Sequence, residues 1–378
     1  MSSTSPLSLV DDILPRVHDL SDIELALLLC LVAHEHGILT TASPSLDSLV
    51  QELFLAATKT FGLTCAIIEC SPQTSLDQFA SGLLVSSAFP PPPPPPPSSS
   101  RNTPSPRPDY FVNNPRRSRL SSSSAQAPSA SIANCVLAKN LHLAPRLVQI
   151  QVLELLRTGR ILTRTSVHAT PKRFILIPVL EASSPGTCPR LTSHLVDFFA
   201  LAHWHDPEEG FLNLEEAESG GDEEHAERAS TKSAVRAEAL YDVAPANEPL
   251  ISEDMVNQLA QLSQQVAVEV EVTRYQMNIV SFLRMHRAVR DGISPAATKH
   301  FGRIMRCLAP LHNLDYVTPA LVGIAARKVY LHRIRITTPE GERSMQWGSR
   351  LEAVAALLKD VGSEHVVDEV LDTVTAPL

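Results

Sequence analysis

The sequence predicts an α/β core followed by an all-α bundle, and three observations predict this arrangement. Short apolar runs typical of buried strands occur at Leu63–Cys70, Asn134–Ala138 and Phe174–Leu180. Helical patterns separate these runs. From Ile251 onward the apolar residues recur at helical spacing. Because strands that alternate with helices form parallel sheets, we expect a parallel-sheet core and a separate helical domain.

The first 60 residues are predicted to form an N-terminal helical unit. Ser21 and Glu24 have the spacing of a capping box, and the run Leu25–His36 that follows is apolar nearly all round, which favours a buried helix. Ser43-Pro44 offers a second helix start. The strand at Leu63–Cys70, a loop and a helix then open the α/β core, which we place at residues 61–200.

Two segments have compositions that disfavour packing. Residues 87–130 contain eight consecutive prolines, Pro90–Pro97, and serine runs. Such a segment buries too little apolar surface to offset its ordering entropy, so we predict a disordered insertion with a polyproline rod. The favoured interpretation is that the segment is a plain spacer. The alternatives are that it is phosphorylated or that a proline-binding domain docks on it. Residues 201–248, acidic from Asp206 to Glu227, are predicted to be a solvated linker.

The helical domain is predicted at residues 249–336. A capping hydroxyl precedes each of its four expected helices, and in two cases a proline follows that hydroxyl. The expected caps are Ser252, Thr273, Ser294 and Thr318. Residues 337–378 form a tail with one helix, Arg350–Leu358, and Trp347 is a candidate anchor for it.

Composition excludes several classes of function. The formal net charge is -9 and no basic face stands out, which disfavours nucleic-acid binding. The longest apolar run, Ile23–Ala33, is too short to span a membrane and contains Glu24. Six cysteines lack metal-site spacing, and no secretory leader pattern precedes them. These features predict reduced thiols and a cytoplasmic location, with a nuclear one as the alternative.

Three stretches resemble the AAA+ ATPases of the magnesium-chelatase I subunit and MoxR type. Asn134–Asn140 with Pro145–Gly159 resembles their Walker B strand and next helix, and Leu195–Phe199 resembles the segment that carries their arginine finger. The third stretch resembles their lid domain and comprises Gly292–Ala296, Asp315–Pro319 and Arg327–Arg333. The resemblance implies a P-loop-NTPase-like core at 61–200, interrupted by the insertion, and a lid at 249–336.

The residues that hydrolyse ATP in that family are missing here. No glycine is followed by lysine, so the phosphate-binding loop motif is absent, and Ser71–Thr74 stands where the resemblance implies that loop. Ala138 and Lys139 occupy the Walker B acid positions. Phe198 replaces the arginine finger and Ala296 replaces the lid arginine. The polar residue expected after the strand Phe174–Leu180 is also not apparent.

One histidine pair raises the question of a metal site. His203-Trp204-His205-Asp206 places two imidazoles on one face of a strand, but no third ligand stands at a recognisable spacing. His34 and His36 are interpreted as a helix end. We therefore predict no catalytic, cofactor-binding or metal-binding residues.

The sequence thus predicts a non-hydrolysing AAA+-like scaffold or regulatory subunit without a cofactor. Its expected partners are proteins, among them an active AAA+ subunit, in a homo- or hetero-oligomer, with no nucleic acid and no membrane. Two alternatives stay open. One is a magnesium-chelatase-type ATPase subunit that uses ATP and Mg²⁺ to drive Mg²⁺ insertion into protoporphyrin, and the other is a passive subunit of a heteromeric ring.

Overall fold

The computed structural model describes residues 13–86, 130–163, 166–187, 190–219 and 249–377. A five-stranded parallel sheet forms the core. The β-strands of this core region are β1 (His36–Thr41), β2 (Cys65–Glu69), β3 (Leu84–Ser86), β4 (Ala130–Ile132), β5 (Cys135–Lys139), β6 (Arg160–Leu162), β7 (Val167–Ala169), β8 (Ile175–Glu181) and β9 (Phe199–Trp204). The sheet order is β2-β5-β8-β1-β9, and two further pairs of antiparallel strands are β3-β4 and β6-β7. The three strands predicted from sequence are confirmed as β2, β5 and β8.

Helices cover this sheet, and one of them is buried on nearly all sides. The core helices are α1 (Asp22–Ala33), α2 (Leu46–Leu55), α3 (Leu76–Gly82), α4 (Arg146–Thr158), α5 (Ser193–Val196) and α6 (Leu212–Ser219). Helix α1 lies between the sheet and the C-terminal bundle, which explains why its sequence lacks a polar face. Gly37 permits this packing, because a Cβ there would lie 2.7 Å from the Cys30 Sγ.

The prediction of a purely helical unit over residues 1–60 is wrong at its centre. Helix α1 ends at Ala33, His34 caps it with a left-handed backbone, and His36 begins β1. Strand β1 pairs with both β8 and β9, so it belongs to the middle of the sheet. The continuous apolar run hid the change from helix to strand, because a buried helix and a buried strand have the same composition.

The predicted helical domain contains four helices, as expected. They are α7 (Glu253–Gln265), α8 (Val270–Met285), α9 (Pro295–Leu311) and α10 (Pro319–Tyr330). Ser252, Ser294 and Thr318 cap α7, α9 and α10 through their side chains. The cap predicted at Thr273 is wrong: α8 begins three residues earlier, and the Thr273 hydroxyl donates to the Glu269 carbonyl within its first turn.

The C-terminal segment contributes two further helices and a short strand. Strand β10 (Val289–Asp291) pairs with β11 (Arg335–Ile336), and α11 (Leu351–Leu358) and α12 (Ser363–Thr373) follow. The tail helix predicted from Arg350 is confirmed as α11, whereas α12 was not predicted. Trp347 does not anchor the tail, since 87% of its surface is exposed.

The predicted linker over residues 201–248 is structured in its described part. Residues 201–204 belong to β9, and α6 follows after a short 3-10 turn. The buried Glu52 carboxylate fixes α6 by accepting from the backbone N–H groups of Asn213 and Leu214. Negative charge at a helix N-terminus is favourable, which offsets part of the cost of burying it. Residues 220–248, like the insertion at 87–129, lie outside the described residues.

Polar contacts join the helical domain to the amino end of β9. Ser294 Oγ donates to Asp197 Oδ1 at 2.6 Å, and Arg333 Nη1 donates to the same oxygen at 3.2 Å. The Arg333 side chain is buried, and this burial lowers its pKa to about 10 although Asp197 opposes the shift.

Within the described residues, none of the helices combines the length and apolar character that crossing a membrane requires.

Candidate functional site

The topology of the sheet marks the carboxyl end of β1 as the place for a ligand. The chain leaves β1 toward β2 at one edge and later reaches β9 on the other side of β1. Ligands of open parallel sheets bind where the strand order reverses in this way. The loop there, residues 42–45, leads directly into α2.

That loop lacks the features of a phosphate cradle. It contains a three-residue 3-10 turn, Ser43–Ser45, and no glycine or lysine. Pro44 also removes one backbone N–H donor. Phosphate binding by a P-loop depends on several converging backbone N–H groups and a lysine, and this short turn supplies neither.

The prediction that Ser71–Thr74 occupies the phosphate-loop position is wrong. Those residues follow β2, which lies at the edge of the sheet, whereas the strand order reverses at β1, an inner strand between β8 and β9. The backbone N–H of Ser71 donates to Thr74 Oγ1 at 2.8 Å, which closes a local turn. Sequence reasoning chose the wrong strand because β1 was not recognised as a strand.

Lys139 lies at the carboxyl end of β5 and forms two ion pairs. Its Nζ donates to Asp47 Oδ1 at 2.5 Å and to Glu69 Oε1 at 3.1 Å. Asp47 comes from the first turn of α2 and Glu69 from the end of β2, so three elements meet at this amine. Burial alone would lower the pKa of Lys139, but the two carboxylates outweigh it and raise that pKa above its ordinary value. Ala138, one residue earlier, is fully buried.

The two other replaced positions lie at the opposite end of the sheet. Phe198 directly precedes β9, whose first residue pairs with His36 at the amino end of β1. Ala296 follows Ser294, which contacts Asp197 at the same end. A six-residue strand spans about 20 Å, so neither position is brought to the loop at residues 42–45 within one chain.

A second polar cluster lies at the carboxyl end of β9. Asp22 Oδ2 is 2.6 Å from His203 Nε2 and 3.1 Å from His205 Nδ1. On the far sides of the rings, His203 Nδ1 is 2.7 Å from Lys328 Nζ, and His205 Nε2 is 3.1 Å from the Gly210 carbonyl oxygen. The cluster therefore joins α1, β9 and the helical domain.

The histidines and carboxylate of this cluster influence one another. Burial would raise the pKa of Asp22, but the hydrogen bonds from both imidazoles hold it well below its usual range. Burial lowers the pKa of His203 below its usual value, whereas the Asp22 carboxylate raises that of His205 against its own burial. Burial also lowers the pKa of Lys328.

A cavity of about 280 Å³ adjoins this cluster. Five polar side chains line it, namely His18, Asp22, His203, His312 and Lys328, and the remaining lining is aliphatic. Sequence reasoning found His203 and His205 but missed Asp22, which is 181 residues from His203. No spacing rule could reveal it, because only the packing of α1 beside β9 brings it there. Asp206 takes no part in the cluster and accepts from the Glu208 N–H instead.

Comparison with known proteins identifies the helical domain. Residues 281–353 match the family model of the AAA lid domain. The whole chain is similar to the crystal structure of a presumed ATPase from Cytophaga hutchinsonii, with a TM-score of 0.62 and 13% identity, covering 99% of this chain and 97% of that one. This chain has an AAA+ fold with an AAA lid domain. It is also similar to a full-length MCM homologue from Methanopyrus kandleri, with a TM-score of 0.43 and 11% identity, over 88% of this chain and 62% of that one.

No curated protein matches the chain. The AAA+ fold expected from sequence is confirmed at the level of overall structure. An AAA lid domain is confirmed at residues 281–353, which begin and end later than the predicted 249–336.

Proposed function

We propose that this chain is a non-hydrolysing AAA+-fold scaffold or regulatory subunit that binds protein partners. The observation that carries the proposal is the ion-paired Lys139. Hydrolysis in this fold requires carboxylates that hold Mg²⁺ and orient water. Here an ammonium group occupies that place and is itself neutralised by Asp47 and Glu69.

The loop at residues 42–45 supports the same proposal independently. Binding of a triphosphate needs donors that converge on its oxygens, and this turn offers a proline and no lysine. Each lost contact to a transition-state charge typically costs about 10²–10³ in rate, so losing the loop, the metal ligands and the arginines removes measurable catalysis. The apolar strands and helices keep the fold without them.

Exposed apolar side chains on the lid favour a role in protein binding. Val270, Met277 and Met285 lie seven and eight residues apart on α8, and all three are exposed. That spacing puts them on one side of the helix. Large apolar side chains grouped on a surface are typical of contacts with other proteins. Such contacts fit a subunit of a homo- or hetero-oligomer, including one that contains an active AAA+ ATPase.

Nucleotide binding provides the direct test. Isothermal titration of the full chain with ATP and Mg²⁺ is expected to give no saturable heat, and phosphate release is expected to equal that of buffer. The variant Lys139→Met tests whether the ion-paired lysine alone prevents hydrolysis. We expect this variant to stay inactive, because the phosphate loop is missing as well. Saturable ATP binding with turnover would instead favour the alternative of a magnesium-chelatase-type ATPase subunit.

The partner role is tested separately on α8. The double variant M277D/M285D should lose co-purification with an AAA+ ATPase or self-association measured by light scattering. The control N278D adds one acidic side chain at another exposed position of the same helix and should keep these contacts. Equal behaviour of both proteins would remove α8 from the proposed interface.

A further inference from the structure

We propose that Asp22, His203 and His205 bind one Zn²⁺ ion. The three residues are the group that, within the described parts of the chain, brings together at least three side chains of the types that ligate metals, with ligand atoms all within 4.8 Å of one another. Imidazole nitrogens with a carboxylate oxygen form a common ligand set of three-ligand zinc sites. His205 lies beside Thr41, which precedes the loop at residues 42–45. Zinc binding here does not depend on the proposed function.

The separations in the cluster require little rearrangement for zinc. Ligand atoms about 2.0–2.2 Å from a tetrahedral ion lie roughly 3.4 Å apart. Asp22 Oδ2 is 2.6 Å from His203 Nε2 and 3.1 Å from His205 Nδ1. An outward movement of less than about 1 Å at the Asp22 carboxylate brings its two separations from the histidine nitrogens to this value. Asp22 lies in the first turn of α1 and His203 lies in β9, while His205 directly follows the end of that strand.

The hydrogen bonds of His205 favour a metal ligand. Both of its ring nitrogens face oxygen acceptors: Nδ1 faces Asp22, and Nε2 faces the Gly210 carbonyl at 3.1 Å. Without an ion, both contacts need a hydrogen on the ring. With Zn²⁺ on Nδ1, the neutral ring keeps its single hydrogen on Nε2 and donates it to Gly210, which is the usual outer contact of a metal-bound histidine.

Lys328 limits the strength of the site. Its Nζ is 2.7 Å from His203 Nδ1, and because an ammonium can only donate, the ring hydrogen of His203 lies on Nε2 in this arrangement. Zinc on Nε2 moves that hydrogen to Nδ1 and requires the Lys328 ammonium to turn away, and the charge of Lys328 also opposes a divalent ion. The cavity beside the cluster favours zinc binding. Asp22 and His203 both line it, so the fourth zinc position faces a space large enough for water or a small anion.

Cobalt provides the experimental readout, because Co²⁺ replaces Zn²⁺ and gives visible absorption bands when it is tetrahedral. The full chain is stripped with a chelator, dialysed and titrated with Co²⁺ and then with Zn²⁺ as competitor. We expect tetrahedral bands at one ion per chain that Zn²⁺ removes. The variants D22N, H203Q and H205Q should each weaken binding by about 100-fold or more, since even outer contacts are worth 10–100-fold.

His18 and His312 are matched controls, because they line the same cavity without belonging to the cluster. H18Q and H312Q should bind within about twofold of the unmodified chain, as expected where no ligand is lost. Circular dichroism establishes whether each variant is folded. If a ligand variant fails to fold, the spectrum of the unmodified chain still decides: octahedral or absent cobalt bands overturn the proposal, as does equal loss in the controls.

Discussion

Two clusters in the core contain carboxylates with opposite burial. At Lys139, the partner carboxylates Asp47 and Glu69 are 75% and 72% exposed. At α1 and α2, Glu24 and Glu52 are buried. The exposed cluster stands where AAA+ chemistry is expected, whereas the buried one ties secondary elements together. The buried carboxylates therefore contribute to the structure, whereas the exposed carboxylates only neutralise the charge of Lys139.

The buried cluster is a hydrogen-bond network rather than an ion pair. Asn213 Nδ2 donates to Glu24 Oε1 at 3.1 Å and to Glu52 Oε1 at 2.9 Å, and the Thr60 hydroxyl donates to Glu24 at 2.5 Å. The network joins α1, the π-helical turn Ala56–Thr60 and α6. Because water cannot replace these partners, each carboxylate there contributes far more to stability than an exposed one.

The largest expected effect comes from the variant E52A. It leaves the N–H groups of Asn213 and Leu214 and the Asn213 amide without their acceptor, which should cost about 3–4 kcal/mol in the free energy of unfolding. Urea unfolding followed by circular dichroism measures it. E208A, at an exposed carboxylate six residues before Leu214, is the control and should change the free energy by less than about 0.5 kcal/mol. A similar loss in both proteins would contradict a special role for burial.

A pH dependence is expected from His36, the first residue of β1. Burial lowers its pKa to about 4, with Glu35 raising it and His300 lowering it by smaller amounts, and its Nδ1 accepts from the Leu176 N–H at 3.2 Å. The unfolded chain, with a pKa of about 6.5, binds the proton first as pH falls. As the pH falls from about 6.5 to 4, the free energy of unfolding therefore falls by about 3 kcal/mol because of this residue. Above about pH 6.5 His36 does not change the stability.

Unfolding of the variant H36L at pH 7 and pH 5 tests this dependence. The unmodified chain should lose more stability over that interval than H36L does. H34N is the matched control, because His34 is exposed and asparagine tolerates its left-handed backbone. An identical pH slope in the unmodified chain and H36L would assign the dependence to other groups.

The helix caps provide a smaller contrast between two serines. Ser294 caps α9 and also donates to Asp197, whereas Ser252 caps α7 only. S252A should cost about 1 kcal/mol and S294A about 2 kcal/mol, since the second loses a hydrogen bond to a carboxylate as well. Thermal unfolding of the two variants measures the difference. Equal costs would mean that the Asp197 contact adds no stability.

The sequence revealed the elements whose local pattern was unambiguous. Strand β5 and helix α4 were bounded by turn residues, and Ser252, Ser294 and Thr318 marked their helices through side-chain capping. Strand β1 was missed because it continues the apolar run of α1. That single error moved the expected phosphate loop from an inner strand to an edge strand.

The candidate sites depended on packing that no local pattern encodes. Lys139 was found because it follows a recognisable strand, but its partners Asp47 and Glu69 lie 92 and 70 residues away. Asp22 was visible only as part of a capping box. Its position beside His203 follows from the placement of α1 against β9, which the burial of both elements dictates and the sequence spacing does not.

The smallest expected effect lies at the exposed cluster. The variant E69Q removes one of the two ion pairs of Lys139, and exposed pairs are typically worth about 0–1 kcal/mol, so the free energy of unfolding should fall by less than about 1 kcal/mol. High salt should reduce the difference further, because it screens exposed charges. D47N, measured in parallel, tests the second pair. A loss as large as that of E52A would mean that Lys139 stabilises the packing of β2, β5 and α2 as strongly as the buried network stabilises α6. The Lys139 ammonium would then have a structural role.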